Sequence, residues 1–214
     1  MVEASLEQPG KRQRQRADTH ARIFDAAVAE FMRAGFAEAQ IPRIAAAAGV
    51  ARGTFYFHFP TKEHVLLEVS ERIQAEAVAT LEALRGGDGG LDDLMETLLD
   101  SVLRVDAALG ESNLLREVLA LQIRIGTEAQ RAEAEPDVRL ELTHHLARVM
   151  QRGELRGDVD PERLATVVLT SVFGLLVAGP AAEVDRRAEL ELLIDMLLQG
   201  MRVDPARRSL GVQA

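Results

Sequence analysis

The stretch Ile44-Ala-Ala-Ala-Ala-Gly-Val-Ala-Arg-Gly-Thr-Phe-Tyr-Phe-His-Phe59 decides the fold of this 214-residue chain. It consists of an alanine-rich helical segment, a glycine, and a second short helical segment that ends in aromatic residues. Glycine adopts tight-turn backbone conformations that other residues disfavour. Two short helices joined by such a turn are typical of a helix-turn-helix, whose second helix is suited to the major groove of DNA.

Helical periodicity continues on both sides of this stretch. The preceding segment has Ile23, Ala26, Ala27 and Phe31 on one face and stops at Gly35. No alternating strand pattern or internal repeat occurs, so the sequence predicts an all-α protein. The helices that follow the first are predicted at Ile41–Ala47, Ala51–Phe57, Thr61–Leu84, Leu91–Leu109, Ser112–Ile125, Thr127–Arg152, Pro161–Val177 and Glu183–Met201. Thr61 is expected to cap the fourth helix of the chain, which it begins.

Charge is divided unevenly along the chain. The formal net charge is -9, which argues against wholesale nonspecific binding of nucleic acid. Residues 1–64 carry a net charge of +2, however, whereas residues 65–214 carry a net charge of -11. Both lysines, Lys11 and Lys62, lie in the first part. The N-terminal region is therefore the one suited to an anionic partner.

The uncharged segment Leu164–Ala182 approaches the length that spans a bilayer. It contains threonine, serine, glycine and proline, has no aromatic belt and stands alone, so a helix buried between subunits is the favoured interpretation. The chain contains no cysteine, which excludes disulfides and thiolate metal sites. Met1–Arg16 lacks the apolar core of a signal peptide. We expect a cytoplasmic protein without a membrane anchor.

Helical geometry sorts the side chains of Ala51–Phe59 into two faces. Phe55 and Phe59 are four residues apart and, with Ile44 and Val50, are expected to face a small core. The remaining side chains are free to face a partner. They are Arg52, Gly53, Thr54, Tyr56, Phe57 and His58.

These residue types suit DNA. Arg52 can donate two hydrogen bonds to guanine, and Phe57 can contact a thymine methyl group. Gly53 permits close approach of the backbone, while Thr54 and Tyr56 can donate to phosphates or base edges. Taken singly, Tyr56 and Phe57 are equally consistent with core aromatic residues.

Two further basic features are placed to reach phosphate. Lys62 stands at the start of the fourth helix, where free N–H groups and the helix dipole already favour an anion. The run Lys11–Arg16 is predicted to end a flexible arm that follows the DNA backbone or enters a minor groove. A solvated tail is the alternative interpretation of that run.

The joint spacing of these residues resembles the N-terminal domain of the tetracycline-repressor (TetR) family. The resemblance covers about 50 residues and rests on the segments Ala21–Ala27, Phe31, Gly35-Phe36, Ile44-Ala45, Ala48–Val50, Gly53–Tyr56, His58-Phe59 and Lys62-Glu63. It implies a homodimeric transcriptional regulator, usually a repressor, that binds a palindromic operator in double-stranded DNA. A small-molecule effector releases such a repressor, and the last two long helices form the dimer interface.

Carried onto this chain, the resemblance assigns DNA contacts to nine residues. They are Gln40, Arg43, Arg52, Gly53, Thr54, Tyr56, Phe57, His58 and Lys62. Three positions depart from the family pattern, because Ala39 and Gln40 replace threonines and Ala51 replaces a serine that caps the recognition helix. The loss of the threonine pair and the loss of the serine each remove a cap worth roughly 0.5–2 kcal/mol.

The predicted domains follow from this layout. A flexible basic arm (1–16) precedes a helix-turn-helix domain (17–64), a helical ligand-binding and dimerisation domain (65–203) and a flexible tail (204–214). Mostly apolar side chains suggest a pocket for an apolar or amphipathic ligand, although each is also a plausible core residue. The candidates are Met95, Leu99, Leu115, Leu119, Gln122, Ile123, Leu146, Met150 and Phe173.

Other kinds of site find little support. His144 and His145 are adjacent, so their side chains diverge by about 100° around a helix and suit a shared metal ion poorly. No nucleophile–base pair, phosphate-binding glycine loop or paired-carboxylate motif occurs, so neither an enzyme nor a cofactor is expected. Two rival hypotheses remain. They are a helical ligand-binding or interaction module that no longer reads DNA, and a membrane-anchored sensor.

Overall fold

The structure is a computed structural model that describes residues 10–87, 89–109, 113–125, 137–178 and 186–202, with the backbone alone for 122–125. Those residues form helices and turns with a single antiparallel bridge between Leu155 and Arg202, which confirms the all-α prediction. The helices are α1 (Lys11–Ala34), α2 (Ile41–Ala47), α3 (Arg52–His58), α4 (Lys62–Ala83), α5 (Leu91–Leu109), α6 (Leu114–Ile125), α7 (Val138–Gln151), α8 (Pro161–Ala178) and α9 (Arg186–Met201). A short 3-10 turn (Leu84–Gly86) follows α4.

The N-terminal core joins the apolar faces of α1 to α4. Ile23 and Phe31 of α1 are fully buried against Ile44 of α2 and Phe55 of α3. Helices α2 and α3 have seven residues each, a length at which an isolated helix is unstable in water. Tertiary packing of Ile44 and Phe55 therefore holds both helices in place.

Helix α4 belongs to both halves of the molecule. Val65, Leu66 and Val69 lie in the N-terminal core, whereas Leu81 lies in the C-terminal core. The helix has 22 residues, so it spans about 33 Å. Helix α4 is therefore the element that connects the two cores directly.

Helix α6 also contributes to both cores. Leu114, Val118 and Leu121 pack into the N-terminal core, and Leu115 and Leu119 pack into the C-terminal core. The boundary predicted near residue 64 falls inside α4, and both α4 and α6 contribute side chains to the two cores.

The C-terminal core is a bundle in which α7 packs closely along α8. One stripe of α8 is buried, from Leu164 through Val168 and Val172 to Leu176. By length and composition alone, Pro161–Ala178 is apolar enough to cross a membrane, with a mean hydropathy of 1.5. Core helices of soluble proteins share that property, so it is weak evidence for a membrane span.

The sequence predictions fail at the starts of α1 and α4. Helix α1 begins at Lys11, so the flexible arm predicted through Arg16 is wrong for its last six residues. Lysine, arginine and glutamine are good helix formers, and they extend α1 beyond its core as an exposed overhang, residues 11–16. Thr61 does precede α4, but its hydroxyl pairs with His64 Nδ1 at 3.0 Å instead of capping a backbone N–H.

Other boundaries agree within two residues or lie partly outside the described residues. Helix α5 spans Leu91–Leu109 as predicted, and α6 begins at Leu114 instead of Ser112. The helix predicted from Thr127 is an exception: Asp137 has an extended backbone and its side chain accepts a hydrogen bond from the Arg139 N–H, so α7 begins at Val138 and the predicted start is wrong. Residues 126–136 lie outside the described residues, and the last helix is described from Arg186. The start of the predicted arm (1–9) and the predicted tail (204–214) lie outside the described residues.

Candidate DNA-binding interface

A glycine and an arginine hold the turn between α2 and α3. Gly49 has φ +65°, a conformation that favours glycine. A Cβ at this position would lie 3.2 Å from Arg22 Nη2. The Arg22 guanidinium donates a short hydrogen bond to the Ala48 carbonyl and a longer one, of 3.4 Å, to the Gly49 carbonyl. Arg22 therefore caps the end of α2, a role that sequence reasoning missed because the partner lies 26 residues away.

The inner face of α3 is aromatic and buried. Phe55 and Phe59 are buried, with ring centroids 6.1 Å apart, and both pack with Ile44. Val50 is half-buried against the same cluster. The predicted core face of this helix is confirmed.

The outer face of α3 carries exposed side chains of the predicted DNA-reading set. Arg52, Gly53, Tyr56 and Phe57 are exposed, whereas Thr54 is half-buried at the flank. Arg52 Nη2 donates to the Tyr56 hydroxyl at 3.3 Å, and its guanidinium carbon lies 5.6 Å from the Tyr56 ring centroid. A Cβ at Gly53 would meet no atom within 4 Å, so this face is open.

Phe57 is the most exposed aromatic residue of this face, with 66% of its surface accessible. The guanidinium of Arg16 lies over its ring at 5.1 Å from the centroid. This contact brings the basic overhang of α1 beside the recognition helix. A helix is about 10–12 Å wide and the minor groove about 6 Å, so the helical overhang suits the DNA backbone better than the minor groove.

Two histidines join α1, α3 and α4 behind this face. His20 Nε2 lies 2.7 Å from Glu68 Oε2, and its ring stacks on Phe59 with centroids 4.5 Å apart. The half-buried His58 ring lies 5.5 Å from the His20 ring. Burial is the main cause that lowers the pKa of His58, and its electrostatic interactions with His20 and Arg16 lower it further.

Helix α2 presents Gln40 and Arg43, both exposed, beside the recognition helix. Neither Gln40 nor Ala51 caps its helix with a side-chain hydrogen bond, as their departure from the family pattern predicts. The backbone of Gln40 instead bonds to Glu30, whose carboxylate also accepts two hydrogen bonds of 2.8 Å from Arg33. The hydrogen bonds from Arg33 are the main cause that lowers the pKa of Glu30.

The side chain of Lys62, predicted to contact a DNA phosphate, is hydrogen-bonded within the protein. Its ammonium group donates to the carbonyls of Phe36, Ala37 and Ala39 at 2.8, 3.1 and 3.1 Å. It also lies 5.0 Å from the centroid of the Phe36 ring. The ammonium is thus turned toward the loop between α1 and α2.

The ligand-pocket candidates pack into the C-terminal core. Met95, Leu115, Leu119 and Leu146 are buried there, and the cluster's half-buried edge includes Leu99, Met150 and Phe173. The side chains of Gln122 and Ile123 lie outside the described residues. A shallow groove lies elsewhere, between the 89–94 segment and α7, and none of the candidates lines it.

The two adjacent histidines of α7 diverge as helical geometry requires. His145 is buried, and its Nε2 lies 2.8 Å from the Leu81 carbonyl of α4. His144 is exposed, with Nδ1 3.8 Å from Glu141 Oε1. No group of three or more potential ligands placed to hold a metal ion occurs among the residues that the structure describes.

A glycine turn, a buried inner face and an exposed polar and aromatic outer face on α3 define a helix-turn-helix DNA-binding protein. Comparison with known proteins agrees. Residues 23–69 match the family described as bacterial regulatory proteins, tetR family. The HTH-type transcriptional regulator SrpR of Pseudomonas putida is 30% identical over 177 residues, which cover 81% of this chain and 80% of SrpR.

Two solved structures share the fold. FadR of Thermus thermophilus, a TetR-family repressor in complex with lauroyl-CoA, has a TM-score of 0.64 and 26% identity, over 86% of this chain and 96% of that one. SmeT, the repressor of the Stenotrophomonas maltophilia multidrug efflux pump SmeDEF, has a TM-score of 0.59 and 27% identity, over 88% and 94% of the two chains. SmeT has also been solved with triclosan.

The chain belongs to the TetR family of transcriptional regulators. It is therefore a DNA-binding protein of transcription regulation, and its relatives are regulators, not enzymes.

Proposed function

We propose that this protein is a homodimeric repressor that binds a palindromic operator through α3 and is released by a small apolar or amphipathic ligand. The observation that carries the proposal is the outer face of α3. It leaves Arg52, Tyr56 and the large apolar ring of Phe57 exposed over a fully buried inner face. Exposing such a ring to water is unfavourable unless a partner covers it.

The DNA-contacting set of the proposal combines α3 with its neighbours. Arg52 reads a guanine, Phe57 contacts a thymine methyl, and Tyr56 and Thr54 bond to phosphate or base edges. Gly53 lets the backbone approach the groove. Gln40 and Arg43 of α2 contact the flanking backbone, as does His58 at the end of α3.

The exposed apolar surface of α8 and α9 supports a dimer. Leu192 and Met196 of α9 are 60% and 63% accessible in the single chain, and Val167 of α8 is also exposed. These helices close the C-terminal core on one side and present apolar side chains on the other. Pairing α8 and α9 with the same helices of a second copy would give a four-helix interface.

The relatives support a ligand with apolar character. FadR of Thermus thermophilus was solved with lauroyl-CoA, an acyl chain joined to a charged carrier, and SmeT was solved with triclosan. The proposed pocket is the C-terminal core around Met95, Leu115, Leu146 and Phe173, which would have to open for a ligand of that size.

Helix α4 is the proposed transmitter. Tilting a 22-residue helix by roughly 5° moves its far end by about 3 Å. Two recognition helices of a dimer must lie one DNA turn apart, about 34–36 Å. A ligand that favours the wrong separation by about 3 kcal/mol would weaken operator binding more than 100-fold.

The test is selection of bound DNA from a random pool by the purified protein at physiological salt. Enrichment of an inverted repeat is the expected result, and the spacing of its halves reports the separation of the recognition helices. No enrichment by folded, dimeric protein would contradict the proposal. That outcome would favour the second candidate, a helical module that no longer reads DNA, for which the missing caps at Gln40 and Ala51 are the supporting observation.

A further inference from the structure

The ammonium group of Lys62 is fully occupied by protein. Its three hydrogen-bond partners are the carbonyls of Phe36, Ala37 and Ala39, at 2.8, 3.1 and 3.1 Å. An ammonium has three N–H donors, so three accepting carbonyls satisfy it. The Phe36 ring, 5.0 Å away at its centroid, adds a favourable cation–π contact.

The three carbonyls belong to the loop between α1 and α2. It begins at Gly35, whose φ of +79° ends α1, and the Ala39 N–H donates to the Gly35 carbonyl at 3.1 Å. The Phe36 ring packs edge-on against the buried Phe31, with centroids 5.2 Å apart. Ala39 is itself buried and directly precedes the exposed Gln40. The position of this loop therefore sets where α2 presents Gln40 and Arg43.

A phosphate would have to compete with these contacts. Turning Lys62 toward DNA would leave the three carbonyls without their shared donor, at the cost of the hydrogen bonds of a charged group. The compact ammonium suits carbonyls that converge on one point, whereas a planar guanidinium directs its donors outward in a fork. The chemistry of this site is therefore specific to lysine.

We infer that Lys62 is a positioning residue that fastens the start of α4 to the loop between α1 and α2. It acts on DNA through the placement of α2, not through a phosphate bond of its own. We call the three hydrogen bonds from Lys62 to this loop the Lys62 clamp. Its effect on DNA binding rests on the proposed function, whereas the clamp itself is present in the free protein. It also explains how movement of α4 reaches α2, because the first residue of α4 holds the loop that leads there.

The test compares Lys62→Met, which keeps the apolar stem, with Lys62→Arg, which keeps the charge. Full-length protein is titrated with its selected operator at several salt concentrations. We expect both variants to bind about tenfold more weakly, with the salt dependence unchanged, because neither supplies the three converging donors. A phosphate contact would give a different pattern. Lys62→Met would lower the slope of log K against log salt by about 0.9, and Lys62→Arg would bind like the wild type.

A second measurement needs no DNA. Amide hydrogen exchange of the free protein is followed at Ala39 and at Arg43 and Ile44, whose N–H groups hydrogen-bond to Gln40. Exchange about tenfold faster in both Lys62 variants, with Lys11→Met unchanged, is the expected result. Lys11 is the matched control because it is the other lysine of the chain and is exposed on the overhang.

The two measurements separate the clamp from the proposed function. Unchanged exchange in both Lys62 variants would overturn the clamp, and so would the phosphate-contact pattern of salt dependence. If the wild-type protein selects no DNA, the proposed function fails, whereas faster exchange in the variants still upholds the clamp.

Discussion

At the scale of single residues, Arg52 and Tyr56 form a pair on the outer face of α3. We predict that Arg52→Ala relaxes the preference at one base pair of each half-site by about 1–3 kcal/mol, because guanine loses two donors. Binding to operators that carry each of the four bases at every position measures the effect. Tyr56→Phe is the control, since losing a hydroxyl that serves a phosphate weakens all these operators alike. Equal, sequence-independent losses from both variants would refute the assignment to Arg52.

Neighbouring phenylalanines of α3 provide a second comparison. Phe55 is fully buried, whereas Phe57 is 66% accessible. Phe55→Ala is expected to lower the free energy of unfolding by about 3–5 kcal/mol, and Phe57→Ala by no more than about 0.5 kcal/mol. Urea unfolding followed by circular dichroism measures both. A large loss from Phe57→Ala would mean that Phe57 is a core aromatic residue, the alternative that the sequence alone leaves open.

At the scale of elements, a polar cluster fastens the far end of α4 to α7. His145 bonds to the Leu81 carbonyl, and Arg148 lies 2.6 Å from His145 Nδ1 while donating to the Arg85 carbonyl at 2.7 Å. Arg85 in turn makes two hydrogen bonds to the buried carboxylate of Glu141, one of them short. Together with the Lys62 clamp, this cluster anchors α4 at both ends. Such anchoring suits a helix that transmits movement between two cores.

The cluster predicts a pH dependence of stability. Burial is the main cause that lowers the pKa of His145, and Arg148 and Arg85 lower it further, while the Leu81 carbonyl and Glu141 oppose them. His145 has a pKa near 6.5 in the unfolded chain and a lower pKa in the folded protein. Between these two pKa values the unfolded chain binds a proton at this histidine and the folded protein does not. The contribution of His145 to the free energy of unfolding is therefore fully present above pH 6.5. It is lost as the pH falls through the folded pKa, by at most about 1.4 kcal/mol per pH unit.

Urea unfolding between pH 7.5 and 5.5 measures this effect. We expect His145→Gln to flatten the profile, because glutamine can still donate to the Leu81 carbonyl but does not titrate. His58, whose pKa is also lowered, contributes with the same sign, so His58→Gln serves as a comparison. Hydrogen bonding to Arg85 lowers the pKa of Glu141 below its usual 4.5. Glu141 therefore titrates below the pH range of this experiment and does not affect the profile. A His145→Gln profile as steep as the wild type would contradict the prediction.

At the scale of the whole molecule, the apolar face of α9 predicts the oligomeric state. Leu192→Glu should convert a dimer into a 23.4 kDa monomer, because it places a carboxylate at the centre of the proposed interface. Sedimentation velocity measures the change. Leu140→Glu on α7 is the matched control, since Leu140 is also an exposed leucine of the bundle but lies outside α8 and α9. A Leu192→Glu protein that remains dimeric would place the interface elsewhere.

Local sequence determined most of the secondary structure and the recognition helix. Helical periodicity located α2, α3 and α5 within a residue, because the repeat of apolar side chains follows from helix geometry alone. The same periodicity placed Phe55 on the predicted core face, whereas the structure decided that Phe57 is exposed. The prediction of a flexible arm through Arg16 was wrong, because the run of basic residues 11–16 was taken as a solvated segment. The high helix propensity of lysine, arginine and glutamine extends α1 through it.

Only the tertiary structure decided which polar groups meet. Lys62 finds its carbonyls 23 to 26 residues away, Arg22 reaches the end of α2 across 26 residues, and His145 reaches α4 across 64. A lysine at the start of a helix has the same local sequence whether it faces a phosphate or a loop. Its hydrogen-bond partners depend on positions that packing sets. The sequence by itself thus determined a helix-turn-helix protein with an outward-facing α3, and packing decided how α4 is fastened to it.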